Sequence, residues 1–123
     1  MNKPALSVRQ PYAWLIVSGL KPIENRTWTT NYRGPLFIHA AMKLHDHDAT
    51  EIKQRYRVSI DESAFEFGGI IGRVDLVDVV TSTRSKWFTG PFGWVLENPR
   101  PVPFRKMRGG LGLFEAATKG DQS

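Results

Sequence analysis

Lys21, Glu24 and Arg26 lie within six positions of one another in the stretch GLKPIENRTW. One reading is a solvated turn whose surface ion pairs each contribute under ~1 kcal/mol. The other is a group that converges in a pocket. There, two cations and a carboxylate can move a proton and hold a developing oxyanion, or bind a polar heterocycle without any chemistry. Lys21 falls just past a helix end, where backbone carbonyls favour a cation. Glu24 and Arg26 share a strand face, with Ile23 pointing the other way.

A second polar group, Ser7, Arg9 and Gln10, stands at a strand-to-helix junction. Gln10 either caps the helix or reads a base edge, since its amide offers a donor and an acceptor together. The chain has four tryptophans. Most should be core, because each buries a large area, but Trp28 and Trp94 flank polar or glycine-rich stretches and are candidates to stack on a base. Arg100, Arg105, Lys106 and Arg108 precede Gly109 and Gly110. They form either a solvated loop or a patch that tracks phosphates, with the glycines letting backbone N–H groups approach an anion. The order is not that of a Walker loop. His39 lies in an apolar strand, and His45 and His47 flank Asp46 with no recognised ligand spacing, so no metal site is expected. There is no G-x-S-x-G, and with no cysteine there is no thiolate nucleophile, disulfide scaffold or cysteine-bound zinc.

These residues need elements to hold them. Leu6 to Arg9 reads as a short strand. Pro11 suits the first position of a helix over 11–18, in which Ala13, Ile16, Val17 and Leu20 recur at i, i+3, i+4 and i+7 and Gly19 ends it. Ile23 to Trp28 reads as a strand, Asn31 to Gly34 as a turn, and PLFIHA (35–40) as a buried strand. Residues 46–57 form a surface helix with Ala49, Ile52, Lys53 and Tyr56 on one edge. GIIGRVDLVDVV (69–80) is the clearest strand, with Val74, Leu76 and Asp78 alternating against Asp75, Val77 and Val79, and with Gly72 at a bulge or close approach. Phe92 to Glu97 and Gly112 to Ala116 are further strands. Asn98 to Pro103 carries three prolines and should not continue a central strand. Helices do not alternate with strands, so the expectation is an α+β fold: a small, mixed, mostly antiparallel barrel with flanking helices.

A chain of 123 residues, 41% hydrophobic, suits one domain, expected over 1–118 with a short tail at 119–123. The N-terminal residues lack the apolar core of a signal peptide, and no apolar run can span a bilayer. A cytoplasmic protein, monomeric or weakly dimeric, with no membrane partner and no cofactor is expected. Seventeen Lys and Arg against 12 Asp and Glu give a net charge of +5 and a pI near 9.8, a balance that favours anionic partners, nucleic acid or nucleotides above all.

Gly19-Leu20-Lys21-Pro22-Ile23-Glu24-Asn25-Arg26 resembles the G-x-K-x-x-E-x-R signature of the ASCH domain family. LSVRQPYAWLIVSG, YRGPLFIHAA, GGIIGRVDLVDVV and GPFGWVLENPRPVP resemble further blocks of that family, so the likeness runs through most of 5–116. It implies a PUA-like barrel with a cleft holding Lys21, Glu24 and Arg26, and an association with RNA, DNA or nucleosides. Some bacterial relatives are amidohydrolases that remove the acetyl group from 4-acetylcytidine, and another is a ribonuclease. In the small amidohydrolases the signature is G-x-K-x-x-T-x-R, with lysine, threonine and a later glutamate catalytic. Lys21 carries over. Glu24 stands where the threonine would be, and Glu66 and Glu97 are the candidates for the later glutamate. The resemblance therefore implies an enzyme removing the acyl group from N4-acylated cytidine, with Lys21 and Glu24 catalytic and Ser7, Arg9, Gln10, Arg26, Trp28 and Trp94 holding substrate. Its alternatives are a non-catalytic RNA-binding module, with Arg105, Lys106 and Arg108 on the nucleic acid, or a ribonuclease. In the hydrolase, Glu24 would serve water and the leaving nitrogen as base and acid. Lys21 would be either the charged oxyanion partner or, if desolvated beside Arg26, the base.

Overall fold

The computed structural model describes residues 4–44 and 49–116. The elements in chain order are β1 (Pro4–Gln10), α1 (Tyr12–Val17), β2 (Ile23–Arg26), β3 (Gly34–Leu44), α2 (Ala49–Tyr56), β4 (Gly69–Val80), β5 (Phe92–Lys106) and β6 (Leu113–Glu115). The strands form one six-stranded sheet in the order β2-β5-β4-β3-β1-β6. Every neighbouring pair is antiparallel except β1 and β3, which run parallel.

The α+β class is as expected, but the sheet is not a closed barrel: β2 and β6 are its two edges. It nevertheless curls far enough that a β2 side chain reaches β1, because the Arg26 guanidinium donates to the Ser7 carbonyl at 2.8 Å. What remains between β1 and β2 is an open seam, bridged by side chains where a barrel would have a ladder.

The hydrophobic spacing places the core correctly. Ala13, Ile16 and Val17 of α1 pack on Leu6, Val8, Leu36, Ile38, Val74 and Leu76 of the sheet. Leu15, on the opposite side of α1, meets Ala49 and Ile52 of α2 together with Ile60 and Trp87. Leu20 does not join that face and is 40% exposed. Gly19, at φ +87°, turns the chain out of the helix one residue before Leu20. Gly72 is a close approach as well as a register shift. A Cβ there would collide with both methyls of Val17 and lie 3.0 Å from the Arg100 carbonyl oxygen, so α1 sits on β4 only because that position is bare.

The proline-rich stretch Asn98–Pro103 is a correction. It continues β5, which runs unbroken for 15 residues. The physical reason lies in the pairing. β2 covers only Phe92 to Val95, whereas Arg100 to Lys106 pair with β4 alone. That half is therefore an edge, where proline is tolerated, and Asn98 at φ 54° accommodates the register shifts. Asp78, expected to alternate with Val74 and Leu76, is exposed. The LHDHD histidines, His45 and His47, and the 119–123 tail lie outside the described residues.

Candidate functional site

The seam between β1 and β2 opens into a cleft of about 570 Å³. Its position follows from the way α1 ends. With Gly19 in a left-handed conformation, the backbone N–H groups of Leu20 and Lys21 both donate to the Leu15 carbonyl at 3.0 Å. The chain thus folds back, bringing the Lys21 Nζ to 5.0 Å from the centre of the Tyr12 ring. β2 then starts at once and places Glu24 and Arg26 beside it.

The three charges form a single buried chain of contacts. Lys21, 3% exposed, donates to Glu24 Oε1 at 2.8 Å and to the Ile23 carbonyl. An ammonium has three donors, and these contacts use two of them. Arg26 donates to Glu24 Oε2 through Nε at 3.1 Å, with Nη2 at 2.9 Å from the same oxygen. Burial by itself would raise the Glu24 carboxyl. The charges of Lys21 and Arg26, and the hydrogen bonds they donate, outweigh burial and hold it below the usual carboxylate range. Glu24 is therefore ionised at neutral pH with both oxygens engaged, which is the geometry of an anchor for two cations.

Aromatic groups wall the cleft. Trp28 lines it and stands edge-on to Trp94, with centroids 4.8 Å apart at 80°. Tyr56 of α2 and Trp87, also in the lining, stack at 4.1 Å and 17°. Tyr12 completes the wall, and burial pushes its hydroxyl above the usual phenol range, with Tyr56 and Glu24 adding to the effect. Four cations, Arg9, Lys21, Arg26 and Arg55, face one carboxylate in the lining, so the cleft favours an electron-rich or anionic ligand.

Of the residues expected at a substrate, Ser7, Arg9, Arg26 and Trp28 line this cleft together with Lys21 and Glu24. Gln10 and Trp94 do not. Gln10 is fully buried, and both ends of its amide are committed: Oε1 accepts from the Trp14 backbone N–H at 2.9 Å, and Nε2 donates to the Glu66 carbonyl at 3.0 Å. It secures the start of α1. Trp94 is fully buried and donates its indole N–H to the Trp28 carbonyl at 3.3 Å, so it props the neighbouring residue and offers no face to a base. Glu66 and Glu97 are exposed and outside the lining, which leaves no later glutamate at this site among the described residues. Those residues also hold no cluster of three metal-ligating side chains, and no helix long and apolar enough to cross a membrane.

Sequence reasoning missed Arg55, Asn25 and Thr89, and treated Tyr56 and Trp87 as packing. Asn25 is the most informative. Its Oδ1 accepts from the backbone N–H groups of Thr89 at 2.8 Å and Gly90 at 3.1 Å, and its Nδ2 donates to the Trp87 carbonyl at 2.9 Å. The loop that carries Trp87 is thereby tied to the strand that carries Glu24 and Arg26. Only its place between those two charged residues could have suggested this.

The profile of the ASCH domain matches residues 6–102. Activating signal cointegrator 1 from Homo sapiens is 32% identical over 111 residues, covering 79% of this chain and 19% of that protein. The Mus musculus protein of the same name is 34% identical with the same coverage. The chain thus spans about a fifth of the length of these curated relatives. The crystal structure of ASCH from Zymomonas mobilis superposes with a TM-score of 0.56 at 14% identity, over 98% of this chain and 91% of that one. A Ser-to-Ala variant of the same protein gives 0.58 at 14% identity, over 98% and 92% of the two chains. At that identity the agreement is one of fold.

Proposed function

Because the chain belongs to the ASCH domain family, we propose that its cleft binds an N4-acylated cytidine or a similar nucleoside and hydrolyses the acyl amide. The observation that carries this reading is the buried Lys21–Glu24–Arg26 chain in an aromatic-walled cleft of nucleoside size. The amine that leaves such an amide is conjugated to the pyrimidine ring, so the bond breaks more readily than a peptide. The base stacks on Trp28. The remaining Lys21 N–H meets the carbonyl oxygen as it gains charge. Glu24 holds Lys21 and Arg26 in place, and Arg9 and Arg26 orient the substrate. Purified protein incubated with 4-acetylcytidine should release cytidine, followed by chromatography. No release from the acetyl compound or from longer acyl homologues would sink this reading.

A second reading, a module that binds RNA, is favoured by a separate observation. Arg105, Lys106 and Arg108 are exposed where β5 runs out, and the loop beyond returns to the cleft: a Cβ at Gly112 would lie 3.9 Å from the Trp28 ring. A strand of RNA lying on these cations would have one base within reach of Trp28. Replacing all three by alanine should weaken RNA binding and lower the salt slope by roughly one unit per lost phosphate contact. An unchanged slope, measured by titration at several salt concentrations, would reduce the cations to a solvated loop.

A further inference from the structure

Ser7 lines the cleft, and behind it lies a buried imidazole, His39; the proposed chemistry has used neither. Ser7 on β1 and His39 on β3 face one another directly in the parallel register. The Ser7 Oγ lies 3.1 Å from His39 Nδ1, and His39 Nε2 lies 2.7 Å from the Met107 carbonyl oxygen. A carbonyl can only accept, so Nε2 carries the proton, and in the neutral ring Nδ1 is left as the acceptor for the Ser7 hydroxyl. The ring is held in this pose: it is 2% exposed and packs edge-on against Phe114 at 5.7 Å. Nucleophile, base and orienting acceptor are thus in line, with a backbone carbonyl in the orienting place.

Two further features bear on Ser7. Ser7 lines the cleft, and its own carbonyl accepts from Arg26, the residue that also grips Glu24. The loop beside it is bare: a Cβ at Gly109 would stand 3.1 Å from Ser7 Oγ and 2.9 Å from the His39 ring.

We propose that Ser7 is the nucleophile of this cleft and His39 its general base; the proposal rests on the deacylase reading above. Ser7 Oγ attacks the acyl carbon while its proton passes to His39 Nδ1. The tetrahedral oxyanion is met by Lys21. The bond from carbon to the exocyclic nitrogen breaks, and His39 returns the proton to that nitrogen, releasing cytidine and leaving acyl-Ser7. Water, deprotonated by His39, then attacks the ester, frees the carboxylic acid and restores the Ser7 hydroxyl. This supplies a hydroxyl nucleophile to a chain that has Glu24 at the signature's threonine position.

The test uses the full chain, a fluorophosphonate probe with peptide mapping by mass spectrometry, and the 4-acetylcytidine assay on the parent and on Ser7→Ala. Expected are a label on Ser7 that is absent from Ser7→Ala, and at least a 100-fold loss of deacylation in that variant with its melting temperature retained. Ser7→Cys should keep a measurable acyl adduct. If the parent deacylates but carries no label on Ser7, or Ser7→Ala keeps the parent rate, the nucleophile is not Ser7 and the deacylase reading stands without it. If the parent is labelled on Ser7 yet releases no cytidine, the reactive pair stands and the substrate is wrong. Neither label nor release overturns both.

Discussion

Glu24→Gln is expected to destabilise the protein by about 3 kcal/mol, because removing one partner leaves two cations short of their counter-charge in a buried setting. The Lys21 and Glu24 side chains are only 4% and 10% exposed, so solvent screening removes little of this. Urea unfolding of parent and variant at neutral pH measures the difference. A change under about 0.5 kcal/mol would mean the ion chain is a surface feature energetically. Its pH dependence has a definite sign. The folded carboxyl of Glu24 is held below its ordinary value by Lys21 and Arg26 in spite of burial, while the unfolded value is about 4.3. The contribution is therefore fully present above the unfolded value and is lost as pH falls through the folded one. Parent and Glu24→Gln should differ by a constant amount above about pH 5 and converge below it. Adding Lys21→Met to Glu24→Gln should recover part of the loss, since an apolar isostere removes a stranded charge.

Lys21→Ala should lower kcat for 4-acetylcytidine by 100-fold or more with a smaller change in KM, the signature of an interaction made in the transition state. Lys21→Arg separates two roles. Arginine keeps the charge but acts as neither base nor nucleophile. With Ser7 and His39 providing nucleophile and base, Lys21 serves the oxyanion, so the arginine variant should turn over well above the alanine one. Equal loss in both would instead assign Lys21 a proton-transfer role. Parent-like turnover in Lys21→Ala would remove it from the site altogether.

The core face of α1 and the charged triplet were legible in the sequence because both depend on spacing along one element. Ala13, Ile16 and Val17 follow helical periodicity, and Lys21, Glu24 and Arg26 span a helix end and one short strand. What was not legible depends on partners far along the chain. Gln10 has a side chain suited to reading a base, yet its two bonds, to Trp14 and Glu66, use it up. Trp94 and Trp28 have the same side chain and comparable surroundings in sequence, and only the sheet decides which is buried. Arg55 and Tyr56 reach the cleft from α2, and no periodicity of that helix says so. Ser7 and His39 meet through a parallel strand register, which a sequence pattern does not fix. The continuation of β5 through its prolines was misread for a related reason: a strand that is central at one end and marginal at the other has no single compositional signature.

That marginal half of β5 bears on self-association. A sheet margin is ordinarily a template for another chain, since it presents a row of unsatisfied amides. Here Pro99, Pro101 and Pro103 remove every second amide hydrogen along the stretch, and the cations at Arg100, Arg105 and Lys106 repel an identical stretch from a second molecule. An incoming strand would find too few donors to register against and a charge of its own sign. A margin of this composition therefore resists strand pairing between copies of the chain without a covering element.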